Sequence, residues 1–345
     1  MKFTNEHDIG LSQAVFLAHD EYDYDPRPNA VSATGMLKST RQAILSRRAE
    51  AKIQTMDISQ LVAASLGTAV HDSVEKAWSH GNYKRALKKL GYPQKKIDRV
   101  VVNHGYLQDP KTNKWYKDPN AKPMADDAIP VYMEIRSEKQ IDDMIITGKY
   151  DFVGNGVLED HKTTGVFTYI KNTKSEDYKL QGSIYRWLNP DIITEDYMVI
   201  NYVFTDWSKL RYMIEKDQGY PPFKMMSVRY TLLSLEETET YIRSRIKDFK
   251  DNLNKPEPDL PLCTSEELWQ DSTVYKYYKN PQNKQRATKN FDTFAEAQTR
   301  LMKDGSIGVI DIVPAKAKAC LYCPASAICS QARQLAIDGQ LDMEF

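Results

Sequence analysis

Short apolar runs, interrupted by charged residues and turn signals, fill the middle of the chain between residues 129 and 164. The runs IPVYMEIRS, IDDMIITGKYDFV and GVLEDHKTT predict a meander of β-strands. Residues 154–156, Gly-Asn-Gly, separate the last two runs, and Asn-Gly between apolar runs is a strong hairpin signal. Side chains alternate along a strand, so Asp160 and Lys162 share one face. Pairing across the turn would bring Asp151 close to both.

Helical patterns precede and follow these strands. The pattern predicts helices from Gly35 to about Lys52, from Ile58 to His80, from Ser175 to Leu188 and from Leu235 to Leu253. Further apolar strands are expected at 197–204 and 225–233. Strands that alternate with helices in this order predict an α/β fold with a mixed sheet.

The final part of the chain has a separate pattern. After the proline-rich stretch KPEPDLPLC, the segments VYKYYKN, KQRATKNF, FAEAQTRLMKD and GVIDIVP predict a strand-strand-helix-strand unit. The sequence therefore predicts an N-terminal helical region over 1–125, a core over 126–254 and a C-terminal module over 255–345.

Charge and hydropathy narrow the classes of protein to which the chain can belong. The 345 residues include 47 basic and 47 acidic side chains, so any nucleic-acid surface must be a local patch. The densest basic stretch is 84–99. No apolar run is long enough to span a membrane, and the first residues lack the apolar segment of a secretory signal. We therefore expect no membrane partner and a cytoplasmic location, or the host cytoplasm if the chain is encoded by a phage.

Asp151, Asp160 and Lys162 would place two carboxylates and an ammonium group at one point. Such a cluster is costly to bury unless it is paired or holds a metal. Two oxygen ligands beside open water positions suit Mg²⁺, and the chemistry indicated is metal-assisted hydrolysis of a phosphodiester. Taken alone, Asp-x-Lys is also a common surface ion pair.

All four cysteines lie in the last third of the chain. Cys320, Cys323 and Cys329 form the run C-x2-C-x5-C, and Cys263 is the remaining one. Four thiolates make a complete site for tetrahedral zinc or for an iron–sulfur cluster. The number of ligands does not separate these two, and free thiols are the third alternative.

Four spaced motifs together resemble the PD-(D/E)XK nuclease superfamily, in particular its RecB-like branch. That branch includes the CRISPR-associated spacer-acquisition nuclease, and the chain also looks like stand-alone phage exonucleases. The motifs, in the order of the family, are Gly67-x3-His71 with Glu75, Gly148-x2-Asp151, Asp160-His161-Lys162 and Gln181-x3-Tyr185.

The resemblance implies a restriction-endonuclease-like core, a mixed sheet flanked by helices, with the C-terminal module stapled by the four-cysteine site. It implies that Mg²⁺ or Mn²⁺ is held by His71, Asp151, Asp160 and the carbonyl of His161. Lys162 would be the catalytic lysine. Further roles implied are positioning of the scissile phosphate by Gln181 and Tyr185, support of the metal by Glu75 and Glu134, and ligation of a [4Fe–4S] cluster by Cys263, Cys320, Cys323 and Cys329. In those relatives the first cysteine precedes the core, whereas Cys263 follows it, so Zn²⁺ remains the alternative.

The function that follows is a metal-dependent deoxyribonuclease that acts on linear DNA and its ends. An exonuclease in DNA recombination, repair or phage DNA processing is expected, with a helicase or recombinase as a further partner. Two alternatives remain open: a DNA-binding or assembly protein on an inactive nuclease fold, and a site-specific endonuclease.

Overall fold

The structure of the chain is a computed structural model that describes residues 2–19, 25, 27–49, 55–112 and 114–345. The end of the first predicted helix, residues 50–52, lies outside the described residues. In the part of the chain that the structure describes, every helix is too short or too polar to cross a lipid bilayer.

The helices and strands follow one another along the whole chain. The strands are β1 Lys2–Thr4, β2 Ala30–Ser32, β3 Thr55–Asp57, β4 Val100–Val102, β5 Tyr106–Gln108, β6 Trp115–Lys117, β7 Ile129–Met133, β8 Arg136–Ile141, β9 Met144–Lys149, β10 Phe152–Gly154, β11 Val157–Thr164, β12 Tyr197–Phe204, β13 Met225–Thr231, β14 Val274–Tyr278, β15 Lys289–Phe291 and β16 Val309–Val313. The helices are α1 Leu11–Ala18, α2 Ala33–Met36, α3 Thr40–Arg48, α4 Val62–Trp78, α5 Asn82–Lys89, α6 Gln94–Ile97, α7 Val166–Lys171, α8 Ser175–Leu188, α9 Lys209–Glu215, α10 Leu235–Asn252, α11 Phe294–Lys303 and α12 Ser330–Ile337.

The described residues form two compact units. The first unit comprises Met1–Leu37 and Ile53–Ile246, and the second comprises Lys38–Lys52 and Lys247–Phe345. The three-part division expected from the sequence stays a prediction.

A six-stranded sheet in the order β13-β12-β11-β10-β7-β4 forms the core of the first unit. The pair β11–β12 is parallel, whereas β10–β11 and β12–β13 are antiparallel. The predicted α/β class with a mixed sheet is therefore confirmed. On β12 the residues alternate in burial, and Met198, Ile200, Tyr202 and Phe204 are buried. This alternation produces the period-2 pattern that the sequence carries.

The predicted hairpin at residues 154–156 is confirmed. Gly154 pairs with Val157 across the turn, and both central residues have positive φ, 48° at Asn155 and 85° at Gly156. These are the angles that an Asn-Gly turn of this kind requires. The register continues to Phe152 opposite Glu159, which places Asp151 at the level of Asp160.

Two predicted elements are each divided in the structure. The expected helix from Gly35 consists of α2 and α3, because the hydroxyl of Ser39 accepts from the N–H of Gln42 at 3.0 Å and starts a new helix. The predicted strand 129–137 is divided into β7 and β8 by Glu134, whose φ is 55°. A left-handed residue ends regular strand geometry.

In the second unit, β14 lies between β15 and β16 in a three-stranded antiparallel sheet, and α11 packs on one face of it. The predicted strand-strand-helix-strand order of this segment is confirmed. The cysteine run lies between β16 and α12.

Candidate functional site

His71 is held between two groups that come from the central sheet. Its Nε2 lies 3.0 Å from the backbone oxygen of His161, and its Nδ1 lies 3.3 Å from Asp151 Oδ2. The same carboxylate oxygen accepts a hydrogen bond from the N–H of His161 at 3.0 Å. Helix α4 therefore places His71 against Asp151 and against the backbone of β11 at His161. The carboxylate fixes the orientation of the imidazole, as carboxylates do for histidines that bind metals.

Asp160 and Lys162 lie on the other face of β11. Asp160 is 1% exposed, and its Oδ2 lies 2.6 Å from Lys162 Nζ. The ammonium group also donates to Gln181 Oε1 at 3.5 Å, and Gln181 Nε2 donates to the hydroxyl of Tyr185 at 2.9 Å. Two of the four sequence motifs thus meet in one hydrogen-bonded row, because Gln181 and Tyr185, four apart on α8, share a face.

Glu134 lies close enough to His71 and Asp151 to be a metal ligand, whereas the sequence suggested only a supporting role for it. One ligand atom from each of His71, Glu134 and Asp151 lies within 4.8 Å of the other two. Asp160 does not belong to this group, since its carboxylate is directed at Lys162. The left-handed backbone at Glu134 (φ 55°) and its N–H bond to the oxygen of Asp151 at 3.2 Å position the carboxylate. Such strain is common at functional sites.

A cavity of about 10 Å³, room for about one water molecule, lies among these groups. Its lining includes His71, Glu75, Glu134, Asp151 and His161. Glu134 forms an ion pair with Lys149. The signal for Glu134 in the sequence is a single acid inside an otherwise apolar strand, IPVYMEIRS.

The ionisable groups of the site are strongly perturbed. Burial alone would lower the pKa of His71, but the hydrogen bond to Asp151 and its charge raise that pKa to about 9. Burial raises the pKa of Asp160, and the charge of Lys162 opposes this rise. Burial also raises the pKa of Glu75 and of Glu134. Perturbed groups that converge on a cavity are typical of functional sites.

The pKa of His71 predicts how the stability of the metal-free protein depends on pH. Because folding raises this pKa from 6.5 to about 9, its stabilising effect is fully present below pH 6.5 and is lost as the pH rises through 9. We expect the free energy of unfolding to fall by ~2 kcal/mol over this range, relative to a His71→Gln variant that cannot ionise there. Urea denaturation in EDTA measures this difference, and parallel pH profiles for the two proteins would contradict it.

Two motif glycines differ in what surrounds them. A Cβ atom at Gly148 would lie 2.8 Å from Leu188 Cδ1 and 2.9 Å from Tyr185 Cδ1, so α8 packs directly on the backbone of β9. A Cβ atom at Gly67 would meet nothing within 4 Å. Only the first glycine is required for packing.

We therefore expect opposite effects from the same substitution. Gly148→Ala should lower the free energy of unfolding by about 1–3 kcal/mol, because Tyr185 and Leu188 must move. Gly67→Ala should raise it by about 0.4–1 kcal/mol, because alanine costs less entropy in a helix. Urea denaturation of the two variants measures both changes. Equal effects of the two substitutions would refute the close packing of α8 on β9.

The four cysteines lie in the second unit and form no disulfide. Burial raises the pKa of Cys320 to about 11, with further rises from the charges of the other three. The buried guanidinium of Arg41 donates to Cys329 Sγ at 3.2 Å, and the hydroxyl of Ser39 lies 3.2 Å from Cys263 Sγ. The thiols are more widely spaced than in a closed zinc site, since among the described residues no three lie within 4.8 Å of one another. Tetrahedral bonds of 2.3 Å to zinc would separate the sulfurs by about 3.8 Å.

The basic stretch 84–99 is divided between α5, α6 and the turns that flank them. Lys88, Lys89, Lys95 and Lys96 are exposed. These cations are available to a polyanion, as a phosphate-facing patch requires.

Comparisons with known proteins add little to this geometry. No protein-family model matches the chain, and no curated protein matches it. It is similar to a crystal structure described as SSO0001, with a TM-score of 0.39 and 14% identity over 69% of this chain and 86% of that chain. It is also similar to a phage-related exonuclease from Haemophilus somnus 129PT, with a TM-score of 0.23 and 15% identity over 34% of this chain and 57% of that chain. Both scores lie below 0.5, so neither likeness indicates which reaction the site catalyses.

Proposed function

We propose that this chain is a deoxyribonuclease that hydrolyses phosphodiester bonds with Mg²⁺ or Mn²⁺. One observation carries the proposal. His71, Asp151 and the pair Asp160–Lys162, from three motifs, lie at the level of the sheet at which the backbone oxygen of His161 faces the imidazole. Hard oxygen donors, an imidazole and a half-buried lysine are groups that suit metal-assisted phosphodiester hydrolysis.

The donors present fit a divalent cation. His71, Asp151 and Glu134 each offer one ligand atom within 4.8 Å of the other two. Together with His71 and Asp151, Asp160 and the carbonyl of His161 would hold the ion. The carboxylate of Asp160, whose Oδ2 lies 2.6 Å from Lys162 Nζ, would then be shared between the ion and the ammonium group. When bound, Mg²⁺ or Mn²⁺ would lower the pKa of a water ligand and offset charge on the phosphate.

The side chains around the donors have separate tasks. Lys162 is held between Asp160 and Gln181, so its ammonium can stabilise negative charge that develops on a phosphate placed beside Asp160. The row from Lys162 through Gln181 to Tyr185 fixes the groups that would orient that phosphate. Asp151 orients the imidazole of His71.

Preference for DNA ends rests on the resemblance to the RecB-like branch and not on the geometry. By that resemblance we propose an exonuclease that processes linear DNA in recombination, repair or phage DNA metabolism, with a helicase or recombinase as partner.

We also propose that the four thiols hold a [4Fe–4S] cluster, with Zn²⁺ as the alternative. Support comes from four cysteines that form no disulfide and lie in one unit, and from the buried cation of Arg41 beside Cys329. A set of four thiolates carries a large negative charge, and a fixed guanidinium offsets part of it. To bind one zinc ion, the four sulfur atoms would have to move closer together than they lie in the structure.

The reaction is tested by digestion of end-labelled DNA. Linear single-stranded, linear double-stranded and circular substrates are incubated with Mg²⁺, Mn²⁺ or EDTA. We expect metal-dependent loss of the linear substrates alone, and the labelled products then reveal the polarity. Cleavage of circular DNA at fixed positions would instead indicate an endonuclease. Binding without any cleavage would favour the inactive scaffold.

A further inference from the structure

A hairpin in the second unit carries a concentration of positive charge that the proposed reaction does not use. Residues 274–291 form β14, its connecting loop and β15, and they contain no aspartate or glutamate. Their basic residues are Lys276, Lys279, Lys284, Arg286 and Lys289. The chain as a whole has as many acidic as basic residues, so this 18-residue stretch forms a local basic surface that can bind a polyanion.

Helix α11 covers one face of the small sheet. On this face, Tyr277 is fully buried and donates its hydroxyl to Asp304 at 3.0 Å, and the ring of Tyr275 lies 5.8 Å from that of Phe294. Because side chains alternate along β14, Lys276 and Tyr278 point to the opposite face. There Lys276 is half-buried, and Tyr278 is buried with Lys284 Nζ 5.9 Å from the centre of its ring.

A cavity of about 360 Å³ lies on the face of β14 opposite α11. It is lined by Lys276, Tyr278, Gln285, Arg286, Ala287 and Asn290. Asn290 is the direct partner of Lys276 in the register of β14 and β15, and Gln285, Arg286 and Ala287 come from the connecting loop. The lining therefore consists of two cations, two amides and little apolar surface.

Both cations are available to a ligand. Among the described residues, neither Lys276 nor Arg286 pairs with a carboxylate. The nearest acid in the sheet register is Asp311, opposite Lys276 on β16. Lys284 engages both oxygens of Asp311, at 2.7 and 2.9 Å. The charge of this acid is therefore already offset by a third cation, and the cavity keeps its positive balance.

We infer that this cavity binds one nucleotide unit of a single-stranded DNA segment. A guanidinium and an ammonium group are the usual partners of a phosphodiester. Amides such as Gln285 and Asn290 both donate and accept hydrogen bonds, as the edges of bases require. A concave space of this size admits one nucleotide, and its two amides can pair with the edge of a base only where that base is not already paired. The choice of DNA rests on the proposed function, whereas the cavity and its charge do not.

The test is binding of a fluorescein-labelled dT20 strand in EDTA, measured by anisotropy over a series of salt concentrations. The double variant Lys276→Gln/Arg286→Gln is compared with wild type. The matched control is Lys255→Gln/Lys303→Gln, which removes the same charge from exposed positions of the same module outside the hairpin. We expect the first variant to raise the Kd at least tenfold and to reduce the slope of log K against log salt by about 1.4, for two lost phosphate contacts. The control should change the Kd less than twofold.

Further variants and controls distinguish binding at this cavity from the proposed nuclease reaction. Gln285→Ala/Asn290→Ala leaves the charge intact and should weaken binding of the strand without changing the salt slope. Thermal unfolding of each variant verifies the fold. Equal Kd values for Lys276→Gln/Arg286→Gln and its control would overturn the inference, as would equal losses for dT20 and a duplex of the same length. Binding is measured without divalent metal, so absence of cleavage would refute the nuclease and leave this result standing.

Discussion

Asp160→Asn is expected to reduce DNA hydrolysis at least ~10³-fold while the protein stays folded and still binds DNA. Asp160 is 1% exposed in the middle of β11, and its carboxylate lies 2.6 Å from Lys162 Nζ. Asparagine has the same shape but no charge, so it would weaken the hold on a divalent cation. It would also leave Lys162 without the carboxylate that fixes its position.

The same substitution should also destabilise the fold. Burial raises the pKa of Asp160, so the folded protein disfavours the charged form of this side chain, and removing the charge relieves that cost. The variant, however, leaves the largely buried ammonium group of Lys162 without its carboxylate. We therefore expect the free energy of unfolding to fall by about 1–3 kcal/mol, which leaves the protein folded at about 25 °C.

Glu159→Gln is the matched control for this experiment. Glu159 is the preceding residue of the same strand, faces the other side and accepts from Asn201 Nδ2 at 2.7 Å. The Glu159→Gln variant loses one negative charge next to the site and leaves the ion pair between Asp160 and Lys162 intact. Turnover of Asp160→Asn within tenfold of the control would remove Asp160 from the catalytic machinery. Loss of activity in both variants would show that general charge, not this carboxylate, is required.

Cys323→Ser is expected to release the bound metal and to lower the melting temperature by at least about 10 °C. A serine hydroxyl is not ionised near neutral pH, so it cannot replace a thiolate ligand. Structural metal sites contribute directly to the free energy of folding, with apparent values of about 10 kcal/mol or more. The loss of one ligand in four should therefore destabilise the whole second unit.

The surroundings of the thiols explain why the loss would spread. Cys323 packs against a buried cluster that includes Leu260 and Ala325. The N–H of Cys263 donates to Gln331 Oε1 at 2.8 Å, and the side-chain amide of Gln331 donates back to its carbonyl at 2.9 Å. The four-cysteine site therefore connects the segment before β14 to α12. Loss of the metal would remove this connection and destabilise both segments.

Metal analysis and thermal unfolding of the protein purified without oxygen measure this prediction. Iron with visible absorbance identifies the cluster, whereas one zinc per chain identifies the alternative. Ala327→Ser, an exposed change in the same loop, is the control and should keep both metal and melting temperature. A wild-type protein that carries neither metal would refute the staple, as would a Cys323→Ser variant that melts like the control.

Local patterns in the sequence determined much of the fold. The Asn-Gly turn after β10, the bounds of α8 at Ser175 and Leu188, and the bounds of β12 at Tyr197 and Phe204 all agree with the structure. These features depend on the periodicity of side chains and on the turn preferences of single residues, which neighbours in the chain suffice to specify. The same reasoning selected Asp151, Asp160 and Lys162 as a group, and the family resemblance added His71. In the structure His71 pairs with Asp151, and Asp160 pairs with Lys162. Their chemical roles stay predictions.

Tertiary structure alone decided the features that depend on residues far apart in the sequence. The left-handed backbone of Glu134 exists because β7 and β8 belong to different sheets, and it brings this carboxylate to Asp151. An added Cβ atom would meet α8 at Gly148 but nothing within 4 Å at Gly67. Arg41 reaches Cys329 across 288 positions of the chain. No local pattern encodes such contacts, since each depends on how the complete sheet and its helices pack.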